Sequence, residues 1–122
     1  MDVAIAALAL GAAAVHVAFF ALEAVLWRRP PVHRLFGART AEQAELLAPA
    51  FVNLGFYNLF LGLGAAAGTW WWLAEGSPAL LVFCLAFMVA AAIVLVAYSR
   101  GMWRGAVVQG ALPAVALVLL AL

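Results

Sequence analysis

The sequence predicts an all-α fold, an integral membrane bundle of four transmembrane helices forming one domain over residues 1–122. Three observations lead there. Seventy per cent of the residues are hydrophobic and 9% charged, and the mean hydropathy of +1.19 lies outside the range of soluble domains. The apolar residues fall into four runs, approximately 3–27, 45–73, 79–98 and 105–122, where about 20 residues of helix suffice to cross a hydrocarbon core about 30 Å thick. All six arginines, Arg28, Arg29, Arg34, Arg39, Arg100 and Arg104, sit in the first and third connections. By the positive-inside rule those connections face the cytoplasm and both termini lie on the non-cytoplasmic side.

The first run, Val3 to Trp27, has Asp2 at its N-terminal flank instead of the positive charge of a cleavable signal peptide. Pro30 and Pro31 are expected to end it, because neither can donate a backbone hydrogen bond. A polar connection follows, in which His33 is expected to be solvated. Thr40, Ala41, Glu42 and Gln43 spell a capping box that opens the second helix. Continued to Leu73, that helix is roughly 50 Å long, so its first turns are expected in the interface, with a bend at Pro49. Glu75, Gly76, Ser77 and Pro78 form a turn, Ala79 to Tyr98 the third span, and Gly105 to Leu122 the fourth. Trp70 to Trp72 mark one membrane interface, and Trp27 and Trp103 the other.

Net charge of +1 with dispersed basic residues excludes a nucleic-acid binder. The single cysteine, Cys84, excludes an intrachain disulfide and any metal-thiolate cluster, and is expected to fill apolar space.

Function is sought among the few polar residues inside the spans. His16 and Glu23 are expected to be catalytic. At 100° per residue His16, Phe20, Glu23 and Trp27 share a stripe of the first helix, with imidazole and carboxylate about 10 Å apart along the axis. On the second helix Pro49, Asn53, Phe56 and Phe60 form one stripe with Tyr57 beside it. Asn58 points nearly the opposite way, next to Gly55 and Gly62. Trp27, Asn53, Tyr57 and Gln109 are therefore expected to bind ligand, and Asn58 to be a structural polar residue joining helices across a small-residue contact. Counted from the cytoplasmic ends, Glu23 and Gln109 lie about 6 Å deep, Asn53 about 10 Å and His16 about 16 Å, all in one half of the membrane. Against a site stands interhelical hydrogen bonding alone, or a Glu23 that snorkels to Arg28.

At these residues the chain resembles a known family. The blocks His16–Trp27, Asn53–Leu61 and Gln109–Ala114, with Phe36 and Gly37 between the first two, are similar to those of the bacterial domain-of-unknown-function family DUF1304. Leu54 stands where the family commonly has glutamine, and one extra residue separates Gly110 from Pro113. The resemblance implies a four-helix protein of the bacterial inner membrane and carries over His16, Glu23, Trp27, Asn53, Tyr57, Asn58 and Gln109 as motif positions. It names no activity and no cofactor.

The expected function is a polar intramembrane pocket that binds a lipophilic small molecule, with Glu23 and His16 as an acid/base pair able to protonate or isomerise it. Two other classes compete with it. Four helices and a carboxylate in the first also resemble the small multidrug resistance exporters, implying proton-coupled transport, although Glu23 lies near the interface. The small-residue faces also suit a non-catalytic accessory subunit that forms a homodimer. Membrane lipid is the remaining partner, and two side chains are too few for a tight metal site.

Overall fold

The structure, a computed structural model, describes all residues 1–122. It is all-α. Helix α1 spans Asp2–Phe20 and runs on through a π-helical turn, Ala21–Val25. Helix α2 is a short Pro30–Leu35 segment, α3 spans Ala41–Glu75 and α4 spans Ala79–Tyr98. A 3-10 turn, Arg100–Met102, leads into α5, Trp103–Leu120. Four helical stretches are long and apolar enough to cross a membrane: Asp2–Val25, Ala41–Glu75, Ala79–Tyr98 and Arg100–Leu120.

Local chemistry accounts for most boundaries. Thr40 Oγ1 accepts the Gln43 N–H at 3.1 Å while Gln43 Oε1 accepts the Thr40 N–H at 3.4 Å, the reciprocal bonding of a capping box. Pro49 lies inside α3 without ending it. Gly76 takes φ +73° in the turn before α4, a conformation that costs glycine nothing. The proline pair corrects the expectation drawn from it. The first spanning helix has already ended at Val25, and Pro30 and Pro31 occupy the first turn of α2, where a missing N–H is no loss. Helix α2 then closes in a Schellman motif. The Ala38 N–H reaches the His33 carbonyl at 3.0 Å and the Gly37 N–H reaches the Arg34 carbonyl at 3.1 Å, with Gly37 at φ +91°.

The chain divides into two compact units, Met1–Val15 with Leu61–Leu122, and His16–Phe60. The first is held by small side chains. Its core gathers Ala9, Ala12, Ala65, Leu81, Leu85, Met88 and Ala116 with Cys84, which is buried as a filler. A Cβ on Gly68 would fall 2.7 Å from the Leu81 nitrogen, so only glycine permits that approach. Thr69 is buried and donates its hydroxyl to the Ala65 carbonyl at 2.8 Å, which satisfies it without a partner helix. Large apolar groups such as Phe83, Phe87, Ile93 and Val94 point outward from α4, the expected face toward lipid. The second unit carries the candidate site.

Candidate functional site

In the π-helical turn the Leu26 N–H reaches the Ala21 carbonyl, five residues back, at 2.9 Å. Such a turn inserts one residue into the helical period and recurs at functional sites. Glu23 sits in the middle of it, 4% exposed. Its partner comes from α3, where Asn58 Nδ2 donates to Glu23 Oε2 at 2.8 Å. Gly55, one turn before Asn58 on the same face, makes the bond reachable. A Cβ there would lie 2.9 Å from Ala24 Cβ and 3.0 Å from the Ala24 nitrogen, so glycine lets α3 come within contact of the turn that holds Glu23.

Beyond the turn, Trp27 closes an aromatic cluster. Its ring stacks on Phe51 with centroids 3.9 Å apart and 14° between planes, and Phe36 and His33 flank it at 5.9 and 6.4 Å. Its indole Nε1–H donates to the Ala44 carbonyl at 2.8 Å. Trp27 is therefore buried within the protein, unlike Trp70, Trp71 and Trp103, which are exposed. His33 is also a correction. It is 2% exposed, and its Nδ1 lies 2.7 Å from the Ala38 carbonyl. Because a carbonyl only accepts, Nδ1 carries the proton. The Schellman motif aims that carbonyl back at the ring, a local closure that no hydropathy pattern reveals.

Glu23 does not turn to Arg28. Arg28 Nε donates to Glu45 Oε1 at 2.8 Å and Nη2 to Oε2 at 3.4 Å, in an exposed pair. On α3, Asn58 joins the helices across the small-residue contact at Gly55, and the group it meets is Glu23. Asn53 and Tyr57, by contrast, are exposed, Tyr57 at 61%. The physical reason is backbone distance. A buried carboxyl is met where a small residue lets the two helices touch, and that residue is Gly55.

His16 is buried at 1% exposure and packs edge-to-face on Phe19, with centroids 5.9 Å apart. No buried side-chain nitrogen or oxygen lacks a hydrogen-bond partner. Gln109 is half-buried on α5, in the unit of Met1–Val15 and Leu61–Leu122. Asn53 lines an open groove of about 480 Å³ with Arg28, Glu45, Pro49 and Phe56. The parts of this groove contributed by Arg28 and Glu45 escape a search confined to polar residues inside the spans. No group of three or more His, Cys, Asp or Glu side chains gathers to hold a metal ion. Chemically, the carboxyl of Glu23 can accept further hydrogen bonds beside the one from Asn58 and can exchange a proton.

Over residues 10–121 the chain matches the family described as "Protein of unknown function (DUF1304)", and it belongs to that family. No curated protein and no solved structure matches it.

Proposed function

We propose that this DUF1304 member binds a lipophilic small molecule carrying a polar group at a buried intramembrane site, with Glu23 exchanging a proton with it and His16 as a polar anchor. The observation that carries this reading is the direction of the Glu23 side chain. The carboxyl lies near the end of a spanning helix, with Arg28 only five residues on, yet it turns inward to Asn58 and leaves Arg28 to Glu45. A carboxylate that merely needed to escape the hydrocarbon would snorkel toward water and a cation. Interhelical bonding alone is a weak reason to keep it inside. Even the strongest interhelical bonds of this kind reach only about 1.7 kcal/mol in membrane proteins, and a position this near the helix end leaves water and a cation within reach of the side chain. The arginine-rich connections favour an orientation with both termini on the non-cytoplasmic side.

The test begins with native mass spectrometry of the gently solubilised protein. A co-purified small molecule distinct from lipid and detergent is expected. Glu23→Gln preserves shape and hydrogen bonding, so it should retain that molecule while turnover or proton coupling disappears. His16→Leu should release the molecule. Absence of any bound molecule in every mild detergent, or a Glu23→Gln protein with unchanged activity, overturns the reading.

A further inference from the structure

We infer that the groove beside the Arg28–Glu45 pair is a binding site for the zwitterionic headgroup of an aminophospholipid, with the lipid's acyl chain lying along the exposed aromatic ridge of α3. The groove contains neither Glu23 nor its partner Asn58, so the two sites can be tested separately.

Charge pattern comes first. Arg28 and Glu45 form a two-point pair 2.8 Å apart while their side chains stay 77% and 58% exposed. The pair engages Nε and one Nη2 proton, so the remaining guanidinium protons are available to an anion, and the Glu45 carboxylate keeps lone pairs for a cation. A phosphate on the arginine and an ammonium on the glutamate would complete a ring of four alternating charges. Arginine's fork suits phosphate in this way. An exposed pair of this kind adds about 0–1 kcal/mol to folding, so stability is a weak reason for its presence.

The groove floor supplies the rest. Pro49, which lines it, deprives the Glu45 carbonyl of its helical donor, leaving a second acceptor at the residue that would receive the ammonium. Asn53, one turn beyond Pro49 on α3, adds an exposed carboxamide to the groove. Below it Phe56 and Phe60 are 42% and 62% exposed, with ring centroids 6.1 Å apart, and form an apolar track on the same stripe. Arg28 lies three residues beyond the span Asp2–Val25, so the charged end belongs at headgroup level and the aromatic end in hydrocarbon.

A primary ammonium offers three N–H donors to Glu45, a quaternary one offers none, and a glycerol headgroup carries no cation. The protein is therefore expected to select ethanolamine over choline and glycerol headgroups. The experiment reconstitutes it in vesicles of equal phosphatidylethanolamine, phosphatidylcholine and phosphatidylglycerol, then counts retained lipids by native mass spectrometry. Phosphatidylethanolamine should be enriched about fivefold, the ratio that roughly 1 kcal/mol from one exposed charge pair confers. Glu45→Gln should equalise the three lipids, and Arg28→Gln should lower retention of all. Both residues are exposed, so neither variant should lose thermal stability. Glu23→Gln should leave lipid selectivity unchanged, which separates failure here from failure of the intramembrane site. Equal retention by the wild type, enrichment of phosphatidylglycerol by general attraction to arginines, or enrichment that survives Glu45→Gln overturns the inference.

Discussion

Replacing Asn58 by leucine removes the amide that holds Glu23 and leaves the carboxyl facing an apolar side chain at 4% exposure. Two scales bear on the cost. Orphaning a buried polar group in a protein interior costs about 1–3 kcal/mol, whereas interhelical hydrogen bonds in membranes average about 0.6 and reach about 1.7 kcal/mol. The membrane average is low because the unpacked helices find other partners. Glu23 lacks that freedom in the folded state, where the π-helical turn and the contact at Gly55 fix its backbone against α3. Asn58→Leu is therefore expected to cost about 1.5 kcal/mol, near the top of the membrane range. Glu23→Leu orphans a neutral amide and should cost less. The double variant replaces both partners by apolar groups and should recover most of the loss. Reversible denaturation of the four proteins in mixed micelles closes the cycle, with an interaction energy of about 1 kcal/mol or more expected. Additivity to within roughly 0.3 kcal/mol would show that the bond does not couple the helices, and the account of the site would fall with it.

Gly55→Ala should destabilise by about 1–3 kcal/mol, since its Cβ would meet the Ala24 backbone nitrogen at 3.0 Å, whereas Gly101→Ala, with nothing within 4 Å, should stay near neutral; equal melting temperatures for the two would contradict the close approach. Orientation is tested by Arg34→Cys and Glu75→Cys, each in a Cys84→Ala background. An impermeant thiol reagent added outside should label position 75 and spare position 34, and the reverse pattern sinks the proposed topology.

The spans were legible because hydrocarbon imposes a length and a composition that the chain cannot disguise. The third helix shows this most clearly: the apolar run Ala79 to Tyr98 has the same limits as α4. The start of α3 was legible for a different reason, since Thr40 and Gln43 satisfy each other within a few residues. Pairings between helices were not. α3 carries two polar stripes, Asn53 with Tyr57 and Asn58 beside Gly55, and helical periodicity shows that they differ without saying which one meets Glu23. The choice belongs to packing, and the small residue was its one visible sign. His33 was misjudged as solvated because its acceptor, the Ala38 carbonyl, exists only once α2 has closed on Gly37.

The π-helical turn also bears on how Glu23 and Trp27 relate. A regular helix would set them on one stripe, four residues apart, as candidates for one ligand. An inserted residue shifts the phase after it by about 100°, and the chain leaves helical geometry at Leu26. Trp27 is thereby freed to reach Ala44 while Glu23 holds Asn58, partners 14 positions apart on α3, or about 21 Å along its axis. With one ring face against Phe51 and its N–H on Ala44, the indole fastens the start of α3 to the end of the first span. The carboxyl, bonded by a single amide, keeps accepting capacity for something else. Of the two residues, Glu23 is therefore the one the proposed proton exchange would act through, while Trp27 holds in place the helix that presents its partner.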